Sequence, residues 1–207
     1  MLLINQHVGA DIAAGKLLRI DLGSGPNPKK GCYSIDHLQL DGIDIVADLN
    51  KPFDLLPDNS AEYVFSSHAL EHVEQFLPLI AELHRITIAG GMIEIVVPHF
   101  SNPFFYSDPT HVRFFGLYTM NYFVPTEMQK MARRVPTFYS DIRFELESIK
   151  LYFYRTNLFD RICVPFLRAF VNFSPATQEF YERRLSWIFP AAEIRYKLRP
   201  IKQAAVG

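Results

Sequence analysis

The chain has 207 residues, of which 49% are hydrophobic, and a formal net charge of -1. That length suits one α/β domain with an addition or two, and the apolar fraction can build a sizeable core. The near-neutral charge gives no electrostatic case for nucleic acid as a partner. Two cysteines, Cys32 and Cys163, cannot form a disulfide framework, which favours a reducing compartment.

The start of the chain carries no secretory pattern. Lys16 and Arg19 follow the apolar residues of the first 16 positions instead of preceding them. No uncharged run approaches the roughly 18–20 residues of a membrane span. These patterns predict a soluble, cytoplasmic protein.

From residue 2 to residue 98 the pattern alternates between strands and helices. We expect a short amphipathic helix over residues 2–14 and a buried strand over residues 17–22. Strand patterns alternating with a helix and glycine punctuation are typical of a parallel sheet. The remaining predictions are strands over residues 33–36, 43–47, 61–66 and 92–97, and a helix over residues 73–88 that stops at Gly90 and Gly91.

After residue 100 the chain becomes aromatic and rich in proline. Two further strands are predicted over residues 144–153 and 193–201. Between them, residues 156–190 carry apolar side chains at helical spacing, with Arg161 and Arg168 on the opposite side. Such a basic amphipathic segment can cover the sheet, form a homodimer interface or contact a membrane surface peripherally.

A glycine-rich turn follows the first buried strand, in the sequence Asp-Leu-Gly-Ser-Gly at residues 21–25. Ligands of open parallel sheets bind at the carboxyl ends of the strands, and glycine allows close backbone approach there. The dinucleotide fingerprint requires a third glycine where this chain has Pro28. Pro26 and Pro28 also disfavour the helix that this fingerprint uses to bind pyrophosphate. The turn therefore indicates a different nucleotide.

Acidic and small polar residues end the next three strands. Asp36 ends the second, and a carboxylate there can accept both hydroxyls of a ribose. Asp48 and Leu49 end the third and can flank an adenine, while Ser66 and His68 follow the fourth.

In chain order, the motifs are DLGSG, SID, ADL, SSHALEHV and AGGMIEIVVP. Together they resemble those of the S-adenosylmethionine-dependent methyltransferases with a Rossmann-like sheet, particularly the small type-11 group. The resemblance covers about residues 17–98. It implies a seven-stranded, mostly parallel α/β sheet with the last strand antiparallel, and S-adenosylmethionine as cofactor. Carried over by position, it implies that the cofactor contacts Asp21, Gly23 and Gly25 at its methionine end, Asp36 at its ribose, Asp48 and Leu49 at its adenine, and Ser66 and His68 from the fourth strand. Ser24 and His37 are further cofactor-binding candidates.

The sequence departs from the family pattern at Asn27, which replaces the third small residue of the glycine motif. The gaps 25–33 and 36–43 are also too short for crossover helices, which need about ten residues or more. We therefore expect the aromatic C-terminal part to cover a sheet face that lacks its usual helices. The chain is predicted to be one domain, 1–207, with a cofactor half at 17–98 and an acceptor or cover region at 99–190.

His68, Glu71 and His72 fit the H-x-x-E-H pattern of some zinc proteases. Zinc requires both histidines on one helical face and a third ligand downstream, but His68 is predicted at a strand end. The same residues also fit the fourth-strand loop without metal, with Glu71 near the positive end of a helix. We expect no resident metal, and zinc hydrolysis is a remote alternative.

The segment after the fifth strand contains His99, Asp108, His111 and Arg113. In one interpretation Asp108 caps a helix that begins at Pro109. In a second, these four side chains surround the methyl acceptor, with His111 as a base that Asp108 orients. Metal binding is a third.

The sequence thus predicts S-adenosylmethionine-dependent methyl transfer to oxygen or nitrogen of a small-molecule or glycan-like acceptor, with His111, Asp108 and His99 as catalytic candidates. The alternative is a catalytically degenerate methyltransferase-like protein that acts as a binding or partner subunit.

Overall fold

The computed structural model describes residues 1–202, apart from the side chain of Phe159. Within these residues, eight strands form one mixed sheet in the order β1-β4-β3-β2-β5-β6-β8-β7. The strands are β1 (Leu2–Leu3), β2 (Leu18–Leu22), β3 (Tyr33–Asp36), β4 (Ile45–Val46), β5 (Ala61–Ser67), β6 (Thr87–Pro98), β7 (Arg143–Phe153) and β8 (Ala191–Ile201).

Four α-helices accompany the sheet. Asn5 begins the first, where its side-chain oxygen accepts a hydrogen bond from the His7 amide at 3.0 Å. The sequence prediction over residues 2–14 merged this helix with the short strand β1. The helices are α1 (Gln6–Ala13), α2 (Phe76–Ile86), α3 (Leu158–Val171) and α4 (Pro175–Arg184).

The topology confirms the predicted fold class and adds one strand to it. In the sheet, β4, β3, β2, β5 and β6 lie side by side in that order, and each neighbouring pair is parallel. Strand β8 runs antiparallel to both β6 and β7. The unpredicted β1 pairs antiparallel with β4, Leu2 opposite Val46. The sheet therefore has the seven expected strands and an eighth of two residues at its edge.

The two early connections contain no helix, as their lengths predict. Residues 23–32 join β2 to β3, and residues 37–44 join β3 to β4, as turns and extended chain. Parallel pairing between β2 and β3 persists nonetheless, with Ile20 opposite Tyr33. The loop after β2 is therefore left free to lie across the end of the sheet.

The prediction that Gly90 and Gly91 end a helix is wrong, because α2 already ends at Ile86 and both glycines lie in β6. A Cβ on Gly91 would stand 2.7 Å from Thr87 Cγ2 and 3.0 Å from the Glu62 carbonyl oxygen. Gly91 thus allows β6 to pass close to β5, which is a packing role that local spacing does not reveal.

The aromatic segment after β6 contributes to the common core. Phe115 is fully buried, and its ring lies edge-on to Phe76 of α2 with centroids 5.7 Å apart. Phe123 likewise packs against Phe76 and against Phe144 of β7. These residues and Tyr181 of α4, which is also buried, belong to the common core, whereas cover of the sheet face that lacks its usual helices stays a prediction.

Helices α3 and α4 lie against the free edge of β7. The Leu151 amide donates to Asn172 Oδ1 at 2.8 Å, and Asn172 Nδ2 donates to the Leu151 carbonyl at 2.8 Å. Gln178 Nε2 donates to the Ile149 carbonyl at 2.7 Å. Side-chain amides thus take the place of a neighbouring strand along this stretch.

The opposite side of α3 is exposed. Apolar side chains recur there at every fourth position and project outward, whereas Val164, Leu167 and Val171 face the protein. Among residues 1–202, no helix is long and apolar enough to cross a membrane. The exposed stripe of α3 consists of Leu158, Ile162, Phe166 and Phe170.

Candidate active site

A cleft of about 620 Å³ opens at the carboxyl ends of β2, β3, β4 and β5. This is the edge where the sequence predicts a nucleotide site. The cleft is lined by Gly23, Gly25, Asp36, His37, Asp48, Leu49, Asn50, His68, Ala69, His72 and Val73.

Gly23 forms the point of closest approach between two walls of the cleft. Its φ is +68°, and a Cβ at this position would stand 2.2 Å from Ala69 Cβ. The amides of Gly23 and Ser24 both donate to the Ile35 carbonyl, at 2.7 and 3.3 Å. Only glycine fits this turn, because both the backbone conformation and the space exclude a side chain.

Asp21 lies behind the loop, where it holds the backbone. Its Oδ2 accepts from the Lys29 amide at 2.7 Å, and burial raises the pKa of this carboxyl. The Lys29 ammonium sits 3.5 Å from the centroid of the Phe65 ring. Ser66 is also buried, and its hydroxyl donates to the Leu22 carbonyl at 2.9 Å. Asp21 and Ser66 therefore support the loop and β2, and both, like Ser24, lie outside the cleft lining.

Asp36 presents its carboxylate at the end of β3. Oδ2 accepts from the Gly25 amide at 2.9 Å, and Oδ1 accepts from the Leu38 amide at 3.1 Å. The exposed ring of His37 places Nδ1 3.0 Å from the same Oδ1. Because a carboxylate has about four lone-pair positions, one on Oδ2 stays open to a ligand hydroxyl.

Asp48 and Leu49 form the wall that follows β4. The Asn50 amide donates to Asp48 Oδ1 at 2.9 Å and is the main cause of the lowered pKa of that carboxyl. Asn50 itself lines the cleft, and its Oδ1 accepts from the Gln75 amide at 2.9 Å. Asn50, Ala69, His72 and Val73 are lining residues that sequence reasoning missed; for Asn50, its position beside the Asp-Leu motif was the available signal.

His68 lines the cleft, and its ring contacts two carboxylates. Its φ is +54°, its Nε2 is 2.9 Å from Glu193 Oε1, and its Nδ1 is 3.4 Å from Glu71 Oε1. Glu193 first, and then Glu71, raise the pKa of His68 to about 9. The ring therefore carries a positive charge at neutral pH and is held in place on the wall of the cleft.

His111 and Asp108 come together beyond the cleft. Asp108 Oδ2 lies 3.7 Å from His111 Nε2, while His111 Nδ1 donates to the Phe105 carbonyl at 2.9 Å. Asp108 Oδ1 accepts from the Thr110 amide at 2.9 Å, which closes a turn and lowers the pKa of Asp108 together with the Thr110 hydroxyl. The prediction that Asp108 caps a helix is wrong, since residues 108–114 form a turn and extended chain.

His99 and Arg113 lie elsewhere. His99 is fully buried, with Nδ1 2.8 Å from Ser101 Oγ and Nε2 3.3 Å from Glu182 Oε1. The Arg113 guanidinium lies 4.6 Å from the centroid of the Phe76 ring, and burial lowers its pKa. Neither side chain shares a contact partner with His111, so their positions support packing and give no support to an acceptor role.

The comparisons with known proteins agree with this geometry. Residues 21–95 match the family model described as "Methyltransferase domain". No curated protein matches the sequence. The match covers residues 21–95, and over this part of the chain the resemblance to S-adenosylmethionine-dependent methyltransferases is confirmed.

Three solved structures illustrate the shared fold. A SAM-dependent methyltransferase from Archaeoglobus fulgidus is 17% identical, with a TM-score of 0.52 over 93% of this chain and 91% of the other. The YcgJ protein from Bacillus subtilis is 13% identical, with a TM-score of 0.54 over 95% and 98%. A Haloferax volcanii protein solved in complex with the Trm112 methyltransferase activator is 10% identical, with a TM-score of 0.52 over 96% and 91%.

Proposed function

We propose that the protein transfers a methyl group from S-adenosylmethionine to oxygen or nitrogen of a small-molecule or glycan-like acceptor. One observation carries the proposal: in a chain with a class I methyltransferase domain, the cleft joins a bare backbone turn at Gly23 to the carboxylate of Asp36. The cleft volume of about 620 Å³ falls within the range of small-molecule sites, which is about 300–1,000 Å³.

The residues present fit this cofactor. The open lone pair of Asp36 can accept a ribose hydroxyl, and His37, which is largely exposed, can turn away to free a second position. The absence of a side chain at Gly23 and Gly25 lets a charged methionine end approach peptide groups. Leu49 and Val73 offer apolar contact for a purine ring, beside the polar groups of Asp48 and Asn50.

For the chemistry we propose that His111 acts as base, with its ring oriented by the Phe105 carbonyl and its protonated form stabilised by Asp108, whose Oδ2 lies 3.7 Å from Nε2. When bound, the cofactor supplies an electrophilic methyl group that a nucleophile displaces in line. His111 donates from Nδ1 to the Phe105 carbonyl, so the lone pair of the neutral ring lies on Nε2, where it can accept a proton from an acceptor hydroxyl. A base is needed chiefly for a hydroxyl acceptor, because its oxygen must lose a proton as the new bond forms.

Calorimetric titration with S-adenosylhomocysteine tests the cofactor site. We expect micromolar binding by the wild-type protein, no binding of NAD, and binding about 10–100-fold weaker in Asp36→Ala, since hydrogen bonds to a charged group contribute about 1.5–3 kcal/mol. Asp54→Ala, which removes an exposed carboxylate away from the cleft lining, is the matched control and should bind like wild type.

Two results would count against this proposal. Absence of S-adenosylhomocysteine binding, or equal binding by Asp36→Ala, would remove the cofactor assignment. Tight binding without turnover across a broad panel of hydroxyl and amine acceptors would instead favour a degenerate methyltransferase that serves as a partner subunit.

We also propose that the exposed stripe of α3 rests on an anionic membrane surface. Phe166 is 75% exposed, and Phe173 and Trp187, which follow α3 and α4 in the chain, are also highly exposed. Between residues 155 and 189 every side chain that is both charged and exposed is an arginine, while the acidic ones are at least partly buried. A symmetric dimer through this face would bring like charges together, whereas anionic headgroups neutralise them. These arginines are Arg155, Arg161, Arg183 and Arg184.

Co-sedimentation with phosphatidylcholine vesicles, with and without phosphatidylglycerol, tests this surface. We expect binding only to the anionic vesicles and roughly tenfold weaker binding by Phe166→Ser, because burying a phenylalanine side chain contributes about 1.5–3 kcal/mol. Phe138→Ser, which replaces another highly exposed phenylalanine outside α3, is the control. If neither vesicle type pellets the wild type, and Phe166→Ser instead dissociates a dimer in sedimentation, the surface is a homodimer interface.

A further inference from the structure

Glu71 is a buried carboxylate whose charge the proposed methyl transfer does not use. Its side chain is 1% exposed, and within the described part of the chain neither of its oxygens has a hydrogen-bond partner. The nearest cationic atom, His68 Nδ1, is 3.4 Å from Oε1. His68 supplies an opposite charge but no hydrogen bond, so both oxygens of this buried carboxylate keep open positions that a donor or a cation can fill.

Two histidines converge on this carboxylate. His111 Nε2 lies 4.0 Å from Glu71 Oε1, and the rings of His72 and His111 have centroids 4.8 Å apart. One ligand atom from each of Glu71, His72 and His111 lies within 4.8 Å of the others. The donor set is therefore two imidazole nitrogens and one carboxylate oxygen.

Hydrogen bonds behind the histidines hold both rings. His111 Nδ1 donates to the Phe105 carbonyl at 2.9 Å, which leaves the lone pair on the nitrogen that faces Glu71. His72 Nδ1 is 2.8 Å from Thr110 Oγ1, and that hydroxyl donates to Asp108 Oδ1 at 2.6 Å. Such outer partners, which fix the ring and its tautomer, are the usual companions of metal-binding histidines.

We propose that Glu71, His72 and His111 bind a first-row divalent cation, with Zn²⁺ as the best fit. Two histidines and a carboxylate form a three-ligand zinc set that keeps a further position open. Metal–ligand distances of about 2.0–2.2 Å put tetrahedral donors about 3.3 Å apart, so each side chain must move inward by less than about 1 Å. His72 is exposed and free to make such a shift.

The proposed ligands differ from those that the H-x-x-E-H pattern predicts, because His68 is not among them. His68 is engaged by Glu193 at 2.9 Å, and His111, 39 positions after His72, takes its place. Because His72 also lines the cleft, the cation would lie at the wall between the proposed cofactor site and the aromatic segment. The inference concerns cation binding alone and does not require methyl transfer. A cation on His111 Nε2 would occupy the lone pair proposed above for the base, so in the metal-bound protein His111 cannot be that base.

The test is titration of the chelator-treated protein with Zn²⁺ by calorimetry, and with Co²⁺ by visible absorption. We expect one equivalent to bind with a micromolar Kd, and the Co²⁺ spectrum to show the intense bands of a four- or five-coordinate ion. Glu71→Gln, His72→Ala and His111→Ala should each weaken binding by more than about 100-fold, beyond the 10–100-fold that loss of an outer partner causes. His7→Ala, which removes an exposed histidine on α1, should bind like wild type.

S-adenosylhomocysteine binding and thermal unfolding are measured on the same samples without metal. They distinguish failure of the metal site from failure of the cofactor site and from loss of folding. Loss of cofactor binding with metal binding intact would remove the methyltransferase proposal and leave this one standing. His72 is exposed, so His72→Ala decides the question even if Glu71→Gln does not fold. Millimolar binding by wild type, or equal binding by His72→Ala and His7→Ala, would overturn the proposal and leave Glu71 as the counter-ion of His68.

Discussion

Replacing Gly23 with alanine is expected to weaken S-adenosylhomocysteine binding by more than about 100-fold. The left-handed backbone, with φ at +68°, costs an L-residue roughly 1–2 kcal/mol. The larger effect is steric, because the new methyl group would stand 2.2 Å from Ala69 Cβ. The turn can relieve this overlap only by lifting away from Ala69, which breaks the hydrogen bonds to Ile35 and deforms the proposed methionine end of the cleft.

Gly15→Ala provides the matched control for this prediction. Gly15 has nearly the same backbone conformation, with φ at +66°, but no atom lies within 4 Å of the Cβ that alanine would add. We expect it to lower the free energy of unfolding by about 1–2 kcal/mol and to leave binding unchanged. Calorimetry and urea unfolding on both variants separate backbone strain from overlap. Near-normal binding by Gly23→Ala would show that the turn at Gly23 does not contact the cofactor.

Phe115→Ala is expected to lower the free energy of unfolding by about 3–5 kcal/mol, which is the usual cost of deleting a buried aromatic ring. Phe115 is fully buried against Phe76, which belongs to α2 in the proposed cofactor half. Its carbonyl also accepts from the Phe100 amide at 2.9 Å. The cavity should therefore weaken both regions at once, and urea unfolding should keep a single transition.

Phe138→Ala is the control for this second prediction, because its side chain is 77% exposed and should change stability little. Two separate urea transitions in wild type or in Phe115→Ala would contradict the prediction of one domain over 1–207. A loss no larger than that of Phe138→Ala would mean that the aromatic segment does not pack on α2 in solution.

The strand ends that form the cleft could be predicted because their signals are local. The strand Tyr33–Asp36 begins and ends where its pattern predicts, and at the end of β2 the acid Asp21 and the glycines after Leu22 stand at the expected places. Parallel strands bring their carboxyl ends to one edge of the sheet, so residues that end successive strands are expected to lie close together in space. Asp36, Asp48 and Gly23 therefore lie together on the cleft as the order of motifs predicts.

Other features depend on contacts between distant parts of the chain. The role of Gly91 is set by its distance from Glu62 on the neighbouring strand, and the burial of His99 by Glu182 on α4. Nothing near Glu71 in sequence indicates that His111 will face it. Asp108 carries the signals of a helix cap, but the chain after it is drawn into extended contact, with the Val112 amide donating to the Glu71 carbonyl at 2.9 Å.

The side-chain amides of Asn172 and Gln178, which bond to the backbone of β7, limit how a second chain can pair with the sheet. An open strand edge is a template on which another chain can add a strand, and such growth leads to aggregation. Here one end of the sheet is β1, with two residues, and the middle of the other end is occupied by Asn172 and Gln178. Because these amides contact β7 at Leu151 and Ile149, an added strand could pair with only the first half of β7, which favours self-association through side-chain surfaces over extension of the sheet.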